Sequence, residues 1–300
     1  MLGVLTFTFD PVLQVTDTAS VRWETIGLAI VLLIGLALAA RLGSMTPAIS
    51  PDVHAPGLRM DDLAFAIVGA VPGAVFGGRL GYVLDHLDFY AANPGAILDP
   101  SQGALTLTLA VPFGLLTGIA IARLLGAPAG RWMHAVTLPL LFVLAAGKAV
   151  GVLGATGQGS PSDLAWATAY LGPGPWASLA ADLPSHPSQV YEAILVGLAV
   201  VGVALASRLE VVARRDGAAL YVALGLWAAA RFLVAFTWRD PAVVGPLSVE
   251  QLELIVVVIV AIVGFSERRR ARLLVPGEPA DAIEAPTDDL PSIDVGARLA

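Results

Sequence analysis

Polar side chains that can take part in acid–base chemistry or hydrogen bonding stand at the start of one of the most apolar stretches of this chain. The segment "SHPSQVYEA", residues 185–193, directly precedes "ILVGLAVVGVALA". His186, Gln189 and Glu192 recur every three positions, so a helix would place them on one face. Such a stripe can line a polar site, in which His186 can act as a base. The alternative interpretation is an interfacial helix start whose polar residues only meet headgroups.

Composition indicates the kind of protein that must position this stripe. The chain has 300 residues, of which 57% are hydrophobic and 14% charged, and its mean hydropathy is +0.79. Apolar runs long enough to cross a bilayer recur along it. We therefore predict an all-α, polytopic membrane protein with seven transmembrane helices. We divide it into an outer segment 1–21, a membrane domain 22–266 and a disordered cytoplasmic tail 267–300.

Seven candidate spans of about 20 residues each account for the membrane domain. The weakest is the third, because Pro112 and several Thr residues interrupt it. The seven run over residues 22–42, 63–84, 104–125, 134–155, 190–209, 218–237 and 249–266.

Arginine placement predicts the orientation of these spans. If the N-terminus lies outside, the connections 85–103, 156–187 and 238–248 are outer, and they contain only Arg239 among the basic residues. The inner connections and tail carry the remaining loop arginines. This asymmetry predicts that the N-terminus is outside and the C-terminus cytoplasmic.

Three cations lie inside the predicted spans near their outer ends. Arg79, Lys148 and Arg231 are about five to seven residues from those ends, roughly 7–11 Å deep at about 1.5 Å per residue. Charge at this depth costs several kcal/mol unless it is paired or faces a wet cavity, so we expect convergence with Arg239, Gln189 and Glu192. Such a cluster suits a phosphate, although each cation can instead extend to the headgroups without binding a specific ligand.

Several classes of site are not expected. The chain has no Cys, which excludes disulfides and a thiolate nucleophile of its own. Its four scattered His residues show no paired metal-ligand spacing. The net charge of −7 includes many tail carboxylates and says little about a binding surface. We expect no metal, no cofactor and no nucleic-acid partner.

Five short motifs, taken in order, resemble the prolipoprotein diacylglyceryl transferases over roughly residues 20–266. The string "HPSQVYE" is the most specific, and the others are weak alone. They are "GGRLGYVL" at 77–84, "HPSQVYE" at 186–192, "RF" at 231–232, "RDP" at 239–241 and "LSVEQL" at 247–252.

The resemblance implies an activity in the bacterial plasma (inner) membrane. The family transfers the diacylglyceryl group of phosphatidylglycerol to the lipobox cysteine of a prolipoprotein signal peptide and releases glycerol 1-phosphate. It implies that Arg79, Arg231 and Arg239 contact the headgroup or phosphate and that Gln189 and Glu192 orient them. The nucleophile comes from the substrate.

This sequence departs from the family pattern at several positions. The His of the family's H-G-G motif is replaced by Thr108, and the Arg of the G-R-x-G-N-F signature is replaced by Lys148. Gly154 and Thr156 stand where that signature has Asn and Glu, and Glu24 stands where Tyr is usual. A lysine does not reproduce the bidentate contact of a guanidinium.

Because of these replacements, the family pattern does not identify the catalytic base in this chain. His186 is the first candidate and His86 a weaker one, while we expect Thr106 and Thr108 to bond helix backbone. Two functions follow: a divergent transferase, or a catalytically silent relative that binds anionic phospholipid or lipoprotein signal sequences. A small transporter is a third alternative, supported only by Gly and Pro breaks in the second and third spans.

Overall fold

The computed structural model describes residues 4–46, 58–99, 101–209 and 216–274. Within these residues the chain forms four short strands, eight α-helices and two 3₁₀ turns. The strands are β1 Leu5–Phe7, β2 Val12–Thr16, β3 Ala19–Arg22 and β4 Thr168–Tyr170. The helices are α1 Trp23–Met45, α2 Met60–Asp85, α3 Leu87–Ala92, α4 Leu107–Leu124, α5 Ala129–Val150, α6 Ser188–Ala206, α7 Ala218–Ala235 and α8 Val249–Leu274. The 3₁₀ turns are Pro94–Leu98 and Gly151–Leu153.

Seven of the described helices, all but α3, are long and apolar enough to cross a membrane. The predicted seven-span helical fold is therefore confirmed, with four short strands added to it. The direction in which the helices cross the membrane stays a prediction.

Two predicted boundaries need correction. The last helix continues past 266 to Leu274, where a Glu267–Arg270 ion pair of 3.2 Å spans one helical turn. The tail from 275 onward lies outside the described residues. Helix α6 begins at Ser188, before the predicted start at 190, and Pro187 is its N-cap. His186 therefore precedes the helix and does not share its face.

Helix α7 lies at the centre of the bundle. Its apolar window is 61% buried, whereas the other six are 17–33% buried, and it packs against α5, α6 and α8. Trp227 of α7 is fully buried and packs in one core with Leu141 of α5, Val196 of α6 and Leu254 of α8. Arg231 lies on the buried side of α7, whereas Leu226 and Leu233 lie on an exposed side.

Helices α2 and α4 pack backbone to backbone through a glycine at every fourth position of α2. A Cβ at Gly69 or Gly73 would collide with Ile121 or Thr117, and one at Gly77 would lie 2.6 Å from Phe113 Cβ. Small residues at this spacing let two membrane helices approach closely. The close approach strengthens the dispersion contacts between them, which matter because the hydrophobic effect does not drive helices together inside lipid. The pair forms a rigid wall beside α8.

The strands and the connection between α5 and α6 form a small cap beside the predicted outer helix ends. Strand β1 pairs in parallel with β4, and β2 with β3 antiparallel. Tyr170 of β4 stacks on Phe7 at 4.9 Å between ring centroids and packs on Trp176. Burial raises the pKa of Tyr170 to about 12, so its hydroxyl stays neutral and accepts a 3.0 Å hydrogen bond from Gln189 of α6.

The α2–α4 contact predicts a position-specific loss of stability. We expect Gly77→Leu to lower the free energy of unfolding by about 2 kcal/mol or more, because the new side chain meets the backbone and Phe113 of α4. The matched control is Gly197→Leu in α6, where no heavy atom lies within 4 Å of the added Cβ. Unfolding in bicelles measures both, and equal stabilities of the two variants would contradict the contact.

Candidate functional site

Arg231 of α7 is the centre of a buried ionic network. It is 6% exposed, and Nη1 donates a 2.6 Å hydrogen bond to Glu192 Oε1 of α6. On its other side, Nη2 and Nε donate to Glu250 Oε1 of α8 at 2.6 and 3.0 Å. Nε also donates to Thr108 Oγ1 of α4 at 3.0 Å. A guanidinium presents its donors in a fixed plane, so these partners set its orientation.

The network continues to Lys148 near the end of α5. Its Nζ lies 3.0 Å from Glu192 Oε2, so one carboxylate bridges two cations. Glu192 is 1% exposed, whereas the side chain of Lys148 is 22% exposed. Two cations and two carboxylates balance one another, as charges in a low-dielectric interior require. Lys148 is also the only lysine in the sequence.

The first turn of α8 presents Glu250 to Arg231. Ser248 and Gln251 form a capping box: Ser248 N–H donates to Gln251 Oε1 at 2.9 Å, and Gln251 N–H donates to Ser248 Oγ at 3.3 Å. This cap fixes where α8 begins. It places Glu250 in the first turn, where the helix dipole favours a negative charge.

A partly open cavity of about 240 Å³ lies against this network. Its wall also includes Trp238, whose ring is 4.5 Å from the Arg231 guanidinium carbon and shields that cation. The lining residues are Lys148, Gly157, Gln158, Gln189, Glu192, Arg231, Trp238, Arg239, Asp240 and Glu250. The cavity therefore gathers polar groups from α5, α6, α7, α8 and two connections.

Arg239 joins this wall from the connection after α7. Its Nε donates to Gly159 O at 2.6 Å, and Nη2 donates to Ser185 Oγ at 3.0 Å. Neither partner is a carboxylate, so the positive charge of Arg239 is not neutralised by the groups that hold it. Arg239 thereby fixes the α5–α6 connection and adds positive charge to the cavity.

Arg79 lies outside this cavity. Its Nε donates to Ile97 O at 2.7 Å, and its Nη2 donates to Ala96 O and Asp99 O at 2.7 and 3.1 Å. The guanidinium also lies 5.3 Å from the Tyr90 ring. The structure thus brings together five predicted binding residues and separates the sixth, Arg79, which holds the connection between α2 and α4.

The predicted polar stripe is divided by the start of α6. Gln189 and Glu192 are 1% exposed and face the cavity, as their spacing suggested. His186 instead packs against Tyr191, with Nδ1 3.4 Å from the Tyr191 hydroxyl, and it does not line the cavity. His86 is exposed and stacks on Tyr82 with 4.2 Å between ring centroids. The catalytic role of His186 stays a prediction.

Sequence reasoning missed two members of the network. Thr108 was expected to bond helix backbone, but its hydroxyl donates to Glu250 and accepts from Arg231. That expectation is wrong because α4 turns Thr108 toward α7 and α8. Glu250 lies within the motif "LSVEQL", but no sequence signal pairs it with Arg231. Among the described residues, no group of His, Asp and Glu is arranged to hold a metal ion.

The bundle and its cavity define a class of protein: a multi-pass membrane protein with a paired ionic site at one end of its helices. The model of the prolipoprotein diacylglyceryl transferase family matches residues 11–266. The chain belongs to this family.

Curated relatives agree with the family match. Three of them are named phosphatidylglycerol--prolipoprotein diacylglyceryl transferase. The relative from Solidesulfovibrio magneticus is 34% identical over 202 residues, which cover 64% of this chain and 68% of the relative. Those from Mesorhizobium japonicum and Bordetella parapertussis are each 32% identical and cover 77% of this chain, with 78% and 83% of their own lengths.

Two positions that depart from the family motifs lie within the ionic network. Thr108, which the family resemblance aligns with the motif histidine, contacts Arg231 and Glu250. Lys148, which the same resemblance aligns with the motif arginine, contacts Glu192. The replacements are therefore integrated into a connected set of hydrogen bonds and ion pairs.

Removal of the bridging carboxylate tests the network. We expect Glu192→Ala to destabilise the protein by about 3–5 kcal/mol, because it leaves Lys148 and Arg231 buried without their shared partner. The control Glu267→Ala removes an exposed carboxylate paired with Arg270 and should cost less than about 1 kcal/mol. Unfolding in bicelles compares the two, and similar losses would contradict a bridging role.

Proposed function

We propose that this chain transfers the diacylglyceryl group of phosphatidylglycerol to the lipobox cysteine of prolipoproteins. The observation that carries the proposal is the cavity walled by Lys148, Arg231 and Arg239 in a member of this family. The cavity lies at the membrane ends of the helices, and its three cations face it together with the acidic residues Glu192, Asp240 and Glu250, of which Glu192 and Glu250 are paired with Arg231. Cationic donors at the membrane ends of helices are what an anionic lipid headgroup requires.

The cations divide into two roles. Arg231 is already held by two carboxylates, Glu192 and Glu250, so it organises the wall. Lys148 and Arg239 can both reach a group in the cavity: Lys148 is partly exposed although it is paired with Glu192, and the side chain of Arg239 is held by neutral partners. We assign the lipid phosphate to these two side chains, with Gln189 beside them.

In this proposal Arg79 does not contact the lipid phosphate. Its guanidinium is occupied by three carbonyl groups of residues 96–99, so it shapes the edge of the site instead of holding the phosphate. This assignment refines the role that the family resemblance implied for Arg79.

The transfer requires charge stabilisation on the leaving group. When the carbon–oxygen bond of the lipid breaks, negative charge develops on the departing phosphate. Positively charged donors already fixed near that oxygen lower the barrier without reorganising during the reaction. Lys148 and Arg239 supply such donors, and the hydrogen bonds to Glu192 and Gly159 hold them in place.

A second candidate function is a catalytically silent relative that binds anionic phospholipid or signal sequences. The observation that favours it is Thr108, which stands at the motif histidine and has no titratable group near neutral pH. Binding would then use the same cavity without transfer.

Complementation separates the two functions. We expect the wild-type chain, expressed in a transferase-depleted bacterium, to attach diacylglyceryl by a thioether to a lipobox reporter, as detected by mass spectrometry. Cys→Ser in the reporter is the control and should abolish the product. Absence of lipidation from folded, membrane-inserted protein, with phosphatidylglycerol still bound, would support the silent relative.

The phosphate assignment predicts weaker lipid binding on loss of Lys148. We expect Lys148→Met to raise the Kd for phosphatidylglycerol by about 10–100-fold, because one charged contact to the phosphate is lost. The control Arg208→Met removes an exposed cation at the other end of α6 and should leave Kd unchanged. Titration with nanodisc-embedded lipid measures both, and equal affinities would overturn the assignment.

We further propose that the site faces the outer side of a bacterial plasma membrane, with the C-terminus cytoplasmic. The chain has no Cys, so single substitutions report topology directly. A membrane-impermeant maleimide added to intact spheroplasts should label Asp88→Cys in α3 and spare Arg123→Cys near the end of α4. Labelling of only the second variant would reverse the orientation.

A further inference from the structure

One carboxylate in the cavity wall has an oxygen that the network does not use. Glu250 Oε1 accepts all the hydrogen bonds that this residue receives, two from Arg231 and one from Thr108. Within the described part of the chain Oε2 has no hydrogen-bond partner, and Glu250 lines the cavity. The carboxylate is thus fixed through one oxygen and leaves the other available to a bound molecule. Groups oriented in this way by a fixed partner are suited to proton transfer.

A second carboxyl group lies one helical turn deeper on α8. Glu253 is 7% exposed, and neither of its oxygens forms a hydrogen bond. Its Oε2 lies 3.4 Å from the point where a Cβ on Gly81 of α2 would stand, so the missing side chain at Gly81 gives it room. A buried carboxyl group without a partner is costly and needs a reason.

The third carboxyl group is on α2. Asp85 follows Gly81 by one helical turn and on the same face, which places it level with Glu250. Glu253 is within electrostatic range of both Asp85 and Glu250. Behind Glu250, outside the lining of the cavity, two further carboxyl groups therefore lie between α2 and α8, of which Asp85 is partly exposed at the helix end.

We propose that Glu250 is the proton acceptor for the incoming cysteine thiol, with Asp85 and Glu253 as adjoining proton-holding groups. This inference rests on the proposed transferase function. It gives the reaction a base at a position where the motif histidine is replaced by Thr108. The Thr108 hydroxyl donates to Glu250 and so helps to fix the carboxylate that performs this role.

The proposed step balances. Glu250 Oε2 takes the proton from the thiol, and the resulting thiolate forms a carbon–sulfur bond with the glyceryl carbon of the lipid. The bond from that carbon to the phosphate oxygen breaks, and its electron pair stays on the oxygen of the departing glycerol 1-phosphate. The proton on Glu250 then passes to water, directly through the cavity or by way of Asp85.

Charged groups from every neighbouring element act on this step. Glu250 faces Arg231 of α7 directly, with Glu192 of α6 and Lys148 of α5 beyond it. From the remaining sides it is within electrostatic range of Asp85 of α2, Asp240 of the α7–α8 connection and Glu253 of α8, and His86, which follows α2, acts on Asp85 and Asp240. A change in pH can therefore act through several groups, so the test must isolate deprotonation of the nucleophile.

A peptide substrate with selenocysteine in place of the lipobox cysteine isolates the deprotonation step. A selenol is more acidic than a thiol and is largely ionised at neutral pH, so it reduces the need for a base. In Glu250→Gln, the amide oxygen can still accept hydrogen bonds from Arg231. We expect this variant to bind phosphatidylglycerol, to transfer to a cysteine lipobox peptide about 100-fold or more slowly at pH 7, and to recover to within about tenfold of wild type with the selenocysteine peptide. Its rate with cysteine should rise with pH as the thiol ionises unaided.

Matched variants sharpen the outcome. Asp88→Asn, an exposed carboxyl-to-amide change in α3, should leave both substrates unaffected. If Glu250→Gln is equally impaired with both peptides, Glu250 only positions Arg231, and the proposal fails. If His186→Gln instead shows the selective rescue, the acceptor is His186. If the wild-type protein transfers to neither peptide, it is the proposed function that fails.

Discussion

The structure depends on the placement of one guanidinium inside an apolar bundle. Arg231 lies on the central helix, where an unpaired charge would cost several kcal/mol. Carboxylates from α6 and α8 and a hydroxyl from α4 surround it, and Glu192 extends the pairing to α5. Because the buried cation must be paired, its partners hold the ends of five helices together around it. Arg231 lines the cavity together with Lys148 and Arg239, and we assign the lipid phosphate to the latter two.

Backbone features hold these partners in register. The capping box at Ser248 and Gln251 fixes the start of α8, and Pro187 fixes the start of α6. The glycine series on α2 brings that helix against α4 and also opens the space that Glu253 occupies beside Gly81. Packing and site geometry are therefore linked, because the close helix contact that stabilises the bundle also brings its carboxyl groups together.

The sequence was informative where physical constraints act locally. Apolar length predicts the spans, and the depth of Arg231 and Lys148 predicts that they must be paired, since lipid offers no alternative partner. Helical spacing correctly groups Gln189 with Glu192. The pairing of Glu250 with Arg231 depends on how α7 and α8 pack, and no periodicity encodes that contact. Arg79 illustrates the converse: its depth matches that of the other cations, yet local carbonyl groups satisfy it.

The central claim is that the paired network leaves Lys148 in contact with the lipid phosphate. Because Lys148 is the only lysine, ¹⁵N-lysine labelling gives a single side-chain signal in the whole chain. Solid-state NMR can then measure dephasing of this nitrogen by the ³¹P of bound phosphatidylglycerol. The account predicts strong dephasing, corresponding to a nitrogen-to-phosphate-oxygen contact within about 4 Å. Absence of dephasing while the lipid is demonstrably bound would contradict it.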